Sequence, residues 1–170
     1  MPIIGEAGIV ADSLNGGDES EEIIGLNGSD TIAGNGGDDT ILGGGGSDVL
    51  LGGQGADVVR GGTGRDTVFG GQGDDYVTGD AGADVLSGDL GADTLVGGSG
   101  DDTFVFKAAT ADAVDVVADF SDGDSLLVEG FSEVTFSDDG TDVTIYGDGV
   151  AIAVLEDAVA SFDASDIILG

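Results

Sequence analysis

Between residues 25 and 105 a large apolar side chain falls at every ninth position: Ile32, Ile41, Leu50, Val59, Val68, Val77, Leu86, Leu95 and Phe104. Each stands two residues after an aspartate, and the aspartates keep the same interval: Asp30, Asp39, Asp48, Asp57, Asp66, Asp75, Asp84, Asp93 and Asp102. A glycine lies five residues before every aspartate, from Gly25 to Gly97, and another lies two before, from Gly28 to Gly100. The unit is G-(G/N/D/L)-x-G-x-D-x-U-x, where U is large and apolar. Its last three residues predict a short strand with one inward side chain, flanked by β-formers such as Thr40, Val49, Val58, Thr67, Tyr76 and Val85. Its first six predict a sharp turn, because glycine permits positive φ and close approach of backbone to backbone. Two units of nine complete one 18-residue turn, with a strand on each side and a glycine turn at each end. Stacking such turns predicts an all-β fold, a parallel β-roll.

The pattern decays on both sides. Residues 16–24 are in register but carry Glu19 for the glycine and Glu21 for the aspartate, and residues 7–15 keep only Asp12 and Leu14. We read 1–24 as a degenerate N-terminal cap, 25–105 as the roll, and 106–170 as a C-terminal antiparallel β cap. Phe104 and Phe106 replace smaller residues, as expected where a stack must be closed. From Asp115 the period is lost and ordinary strands are expected at 115–120, 125–129, 133–137, 142–146 and 150–155. Turn-like Asp138-Asp139-Gly140 and Gly147-Asp148-Gly149 predict hairpins between the later ones.

Composition alone points elsewhere. With 35 glycines, one proline and 5% aromatics, the chain has the make-up of flexible sequence, and only the fixed period argues for order. Charge is equally lopsided: 35 acidic residues against Arg60, Arg65 and Lys107 leave a formal net charge of −32. Such a chain repels nucleic acid and anionic lipid, so neither is expected as a partner, and compaction needs a counter-charge. No apolar run is long enough to insert in a membrane. Without cysteine or histidine there are no disulfides, zinc sites, thiolate nucleophiles or imidazole bases. Residues 1–10 lack the basic region of a cleaved export signal.

The aspartates supply the counter-charge argument. Stacked turns place equivalent carboxylates about 4.8 Å apart, a spacing that repels unless a cation sits between them. A hard cation served by carboxylate and carbonyl oxygens is calcium, since magnesium demands a stricter octahedron and keeps its waters. All nine units resemble the calcium-binding nonapeptide of the RTX (repeats-in-toxin, hemolysin-type) family. The resemblance implies that each ion lies between units n and n+2. It would take one aspartate from each, together with backbone carbonyls of the glycine turns. The metal ligands are then Asp30, Asp39, Asp48, Asp57, Asp66, Asp75, Asp84, Asp93 and Asp102, holding about seven calcium ions. Leu26, Asn35, Asp80 and Asp89 depart from the second glycine, which bears on turn geometry and not on the ligands. The stretches DDTFVF, DVVADFSDGD and SFDASDIILG are similar to the C-terminal flank of RTX exoproteins. That likeness implies an uncleaved C-terminal signal, the type I secretion machinery as a partner during export, and an extracellular or cell-surface location on a bacterium.

Folding and metal binding are expected to be one event, with the roll unfolded at cytosolic calcium. No enzymatic activity is expected: about 24 residues precede the repeats, too few for a catalytic domain, and the aspartates serve better as ligands. Asp112, Asp119, Asp122, Asp124 and Asp163 are expected in turns, some as ligands of an extra ion. The expected role is extracellular building material such as matrix, surface layer or filament, which Met1 weakly favours. The alternatives are the secretion and folding module of a larger exoenzyme or toxin, and a carbohydrate-binding module. One face of the roll would carry Val49, Leu51, Thr67, Phe69, Val85 and Val105 outward, more apolar than a solvated surface should be. Either the C-terminal strands fold back over it, or it serves self-association into fibres or layers.

Overall fold

The computed structural model describes residues 2–5, 11–111 and 113–170. Its first half runs β1 (Ile3–Ile4), β2 (Ser13–Asn15), β3 (Glu22–Asn27), β4 (Thr31–Gly36), β5 (Thr40–Gly45), β6 (Val49–Gln54), β7 (Val58–Gly64), β8 (Thr67–Gln72) and β9 (Tyr76–Gly82). Then follow β10 (Val85–Leu90), β11 (Thr94–Ser99), β12 (Thr103–Lys107), β13 (Asp115–Val117), β14 (Ser125–Glu129), β15 (Val134–Asp138), β16 (Val143–Gly147), β17 (Val150–Leu155) and β18 (Ile167–Leu169). Consecutive strands alternate between two sheets as far as β14, after which β15, β16 and β17 share one sheet and β18 joins the other. One has the order β18-β14-β12-β10-β8-β6-β4-β2, the other β1-β3-β5-β7-β9-β11-β13-β17-β16-β15.

Register follows the sequence period. Thr40 pairs with Val58 and Ile41 with Val59, while in the other sheet Val49 pairs with Thr67 and Leu50 with Val68, all parallel. Every unit therefore lies over the unit two before it. The inward residues Ile32, Ile41, Leu50, Val59, Val68, Val77, Leu86, Leu95 and Phe104 are fully buried, making a narrow core one side chain deep from each sheet.

The parallel stack extends on both sides of 25–105. At the N-terminal end β1 pairs with β3 and β2 with β4, so the degenerate units are strands of the roll. At the other end β13 pairs parallel with β11, β14 with β12, and β18 with β14. The expected antiparallel strands are β15, β16 and β17, and β17 joins them to the roll through a parallel pairing with β13. The C-terminal flank is thus parallel where it continues the stack and antiparallel at the end of one sheet, whereas the other ends in the parallel strand β18. Closure is aromatic: Phe104 lies 6.2 Å from Phe120, Phe120 6.0 Å from Phe162, and Phe162 5.0 Å from Phe136, ring centroid to centroid.

The four departures from the second glycine keep the turn. Leu26, Asn35, Asp80 and Asp89 all adopt left-handed backbone, with φ of 80°, 76°, 70° and 69°. Asp80 faces Arg60 at 2.9 Å and Asp89 faces Lys107 at 3.6 Å, which places two of the three cations of the chain against these substitutions. The fourth position is stricter. Gly46 has φ of 136°, and a Cβ there would run into the carbonyl oxygen of Gly28 in the turn below.

The apolar face is not covered by folded-back strands, because β14 and β18 add to the edge of its sheet. Val49 and Leu51 remain 39% and 40% exposed. Shielding is confined to the C-terminal side, where Lys107 Nζ lies 5.5 Å from the centroid of Phe69 and Val105 is buried.

Candidate metal centre

The strand that carries each inward apolar residue also fixes the aspartate two residues ahead of it, at the mouth of the glycine turn. The nine repeat aspartates are all buried and form two columns, one along each edge of the roll. In the first, the backbone N–H of Asp30 donates to Asp48 Oδ1 at 2.7 Å, Asp48 to Asp66 at 2.8 Å, Asp66 to Asp84 at 2.7 Å and Asp84 to Asp102 at 2.8 Å. In the second, Asp39 donates to Asp57, Asp57 to Asp75 and Asp75 to Asp93, each at 2.8 Å. One carboxylate oxygen per turn is thereby tied to the neighbouring turn.

The other oxygen has a different fate. Oδ2 of Asp30, Asp39, Asp48, Asp57, Asp66, Asp75 and Asp84 is enclosed with no hydrogen-bond donor among the described residues. An enclosed carboxylate oxygen without a partner costs on the order of several kcal/mol. It also faces a second acceptor: a Cβ placed on Gly43 would stand 2.6 Å from Asp48 Oδ2 and 2.6 Å from the carbonyl oxygen of Gly61. At Gly25 the same point lies 2.6 Å from Asp30 Oδ2 and 2.5 Å from Gly43 O. The first glycine of the unit is therefore needed for room, since a methyl group would occupy the space on which carboxylate and carbonyl converge.

Two oxygens converging without a proton between them fit a hard cation. Among the described residues no three acidic side chains gather into a cluster, so a site here has carboxylates and backbone carbonyls as its protein ligands. The electrostatics agree. Desolvation pushes the carboxyls of Asp39, Asp48, Asp57 and Asp102 above the ordinary range, those of Asp66 and Asp84 up to about 6, and that of Asp75 up to about 7. Carboxylates of adjacent turns add to the rise, as Asp48 does at Asp66, while the N–H bond to Oδ1 opposes it. The residues fit calcium.

The columns are longer than the repeat pattern. Asp12 N donates to Asp30 Oδ1 at 2.7 Å and Glu21 N to Asp39 Oδ1 at 2.8 Å. Beyond the last unit, Asp93 N donates to Asp115 Oδ1 at 3.0 Å and Asp102 N to Asp124 Oδ1 at 2.9 Å. Asp115 and Asp124 are buried, and Val117 and Leu126 two residues later are fully buried like the repeat apolar residues. Both rungs follow their predecessors by 22 residues instead of 18 and so fall outside the nine-residue period. The signal that could have found them is the local D-x-U triplet, Asp115-Val116-Val117 and Asp124-Ser125-Leu126. Asp124, expected as a turn residue, is thus a member of the column.

Of the other expected turn residues, Asp119 accepts the backbone N–H groups of Gly97 and Gly98, each at 2.8 Å. Asp163 caps a short 3-10 turn by accepting from Ser165 N at 2.9 Å. Asp122 is exposed, and Asp112 lies outside the described residues.

Two sheets of short parallel strands, joined by glycine turns that enclose rows of carboxylates, define a calcium-binding β-roll. The family model described as the RTX calcium-binding nonapeptide repeat (4 copies) matches residues 15–50, 51–86 and 78–106, and the chain belongs to that family. No curated protein sequence matches the chain. Among solved structures it is similar to the extracellular lipase LipA from Serratia marcescens, at 17% identity and a TM-score of 0.45 over 97% of this chain. The chain spans 41% of that lipase's length. It is also similar to the AlgE6R3 subunit of the Azotobacter vinelandii mannuronan C5-epimerase, at 22% identity and a TM-score of 0.39, covering 95% of this chain and 80% of that one.

Proposed function

We propose that the chain is a non-enzymatic component of extracellular material, exported through type I secretion, whose repeats are folded by calcium and ordered only outside the cell. The observation that carries this reading is the set of enclosed, donorless Oδ2 atoms, each converging with a glycine carbonyl. Facing pairs along the columns are Asp30 with Asp48, Asp48 with Asp66, Asp66 with Asp84, Asp84 with Asp102, Asp39 with Asp57, Asp57 with Asp75, and Asp75 with Asp93. They would hold about seven ions, one per pair. Calcium, when bound, neutralises these carboxylates and ties adjacent turns together. The aspartates do the rest: each braces the turn beside it through Oδ1 and offers Oδ2 to the site.

The material role is supported by the exposed Val49 and Leu51 on an otherwise regular sheet face, which favours lateral association of rolls. Electron microscopy of the purified chain, first with chelator and then at millimolar calcium, tests it. Regular fibres or sheets appearing only with calcium are expected. Dispersed compact monomers at millimolar calcium would overturn the material role in favour of a secretion and folding module. Intact strand structure across β3 to β10 under full chelation would overturn calcium-dependent folding itself.

A further inference from the structure

The rung at Asp124 differs from those of the repeats in how its carboxylate is met. Its Oδ1 accepts the N–H of Asp102 at 2.9 Å, as in every turn above it. Its Oδ2, however, accepts the backbone N–H of Ser121 at 2.8 Å and the hydroxyl of Ser121 at 3.1 Å. Five residues before Asp124, where the repeat has its first glycine, stands Asp119. Asp119 Oδ1 accepts from Gly97 N and Asp119 Oδ2 from Gly98 N, both at 2.8 Å. All four carboxylate oxygens of this rung are therefore served by protein donors. In the repeats the equivalent carboxylate keeps one oxygen for a cation, and the space beside it is left open by glycine.

The surroundings differ as well. Phe120, between the two aspartates, packs between Phe104 and Phe162 at 6.2 and 6.0 Å. Phe106, Leu126, Val128, Val143, Ile145, Ile152 and Leu155 belong to the same buried cluster. Hydrogen bonds to a carboxylate are strong and need no counter-ion, and the apolar cluster here is broader than one side chain per unit.

We propose that Asp119, Ser121 and Asp124 form a hydrogen-bonded rung that takes no calcium, and that with the aromatic core it keeps β11 to β17 folded when calcium is removed. This goes beyond the reading above, resting on it only for the statement that the repeat turns require the ion.

Hydrogen exchange of the full chain, with chelator and at millimolar calcium, separates the two. The expected result in chelator is protection of β11 to β17 together with unprotected exchange across β3 to β10. Uniformly fast exchange in chelator would overturn the proposal. Protection of β3 to β10 as well would overturn calcium-dependent folding and leave the metal-free rung standing. Asp119→Asn, which removes one of two acceptors, should speed exchange of the Gly97 or Gly98 amide in chelator about tenfold. Equilibrium dialysis should show an unchanged number of bound calcium ions in Asp119→Asn and Asp124→Asn, against fewer in Asp57→Asn. Loss of an ion in either of the first two would overturn the proposal, because their carboxylates would then be ligands.

Discussion

Asp66 in the middle of the roll and Asp124 beyond its last repeat hold the same place in the stack. Each is buried, each accepts the N–H of the aspartate one turn back, and each precedes a fully buried apolar residue by two positions. What differs is the second oxygen. At Asp66 it meets a glycine carbonyl and no donor, whereas at Asp124 it meets a backbone N–H and a hydroxyl. One backbone geometry thus supports two kinds of closure, chosen by what the turn supplies. A glycine turn leaves room and an unmet charge, so the ion becomes part of the fold. A turn bearing Asp119 and Ser121 meets its charge internally. The cores follow the same division, since the repeats bury one apolar side chain per nine residues and the C-terminal end adds a chain of four phenylalanines.

The contrast can be broken most broadly by pH, which acts on several repeat turns at once. Burial raises the carboxyls of Asp39, Asp48, Asp57 and Asp102 in the folded, metal-free roll, that of Asp75 to about 7 and those of Asp66 and Asp84 to about 6, from an ordinary 3.8. A raised carboxyl means that the folded state binds protons more tightly than the unfolded one. It therefore penalises the metal-free fold at pH above about 7, and the penalty fades as pH falls from there toward the unfolded value. In chelator, far-ultraviolet circular dichroism should show strand signal rising from pH 8 to pH 5.5. At limiting calcium the sign should reverse, because protons then compete with the ion for the same oxygens. Absence of any rise in chelator would mean that the carboxylates are not enclosed as described.

Phe120→Ala should have the largest effect of any single substitution on the C-terminal end. Emptying that aromatic position is expected to cost about 3–5 kcal/mol in the unfolding of the chelated protein, measured by urea titration. The calcium count should stay unchanged. Asp66→Asn should act on the opposite region: it touches two facing pairs, so calorimetry should find about two fewer ions. At calcium ten-fold above the site affinity, that corresponds to about 2.8 kcal/mol of roll stability. In chelator the unfolding of β11 to β17 should be unchanged. Leu51→Lys is expected to be smallest in stability, within about 0.5 kcal/mol, because the side chain stands on an open face. Its effect should appear in light scattering, where calcium-induced assembly is lost while calcium binding persists.

Legibility in the sequence follows from what repeats. The strand positions, parallel register, buried apolar column and nine aspartates of the roll were all visible, because a fixed period repeats the same local chemistry. The later strands were legible to within a few residues from alternation, as with Val143 and Ile145, both buried on β16. Their partners were not. The triplets at Asp115 and Asp124 looked like the start of a strand and a turn, since each sits four residues out of step and nothing local marks the inserted loop as compatible with stacking. The fate of the apolar face was equally hidden. Whether Val49 and Leu51 are covered depends on whether distant strands fold over the sheet or lengthen it.

The sequence by itself therefore determined the roll: which residues turn, which point inward, which carboxylates line the two edges, and the family to which the chain belongs. Only the tertiary structure decided where the columns end and which carboxylates remain without donors. The reason is physical. Direction of a side chain along a strand is set by the backbone's own alternation, within a few residues. The partner of a buried oxygen is set by whatever the next turn brings to it, some 18 to 22 residues away. Asp66 and Asp124 begin with the same triplet chemistry, and the groups that distinguish them come into place only when the turns are stacked.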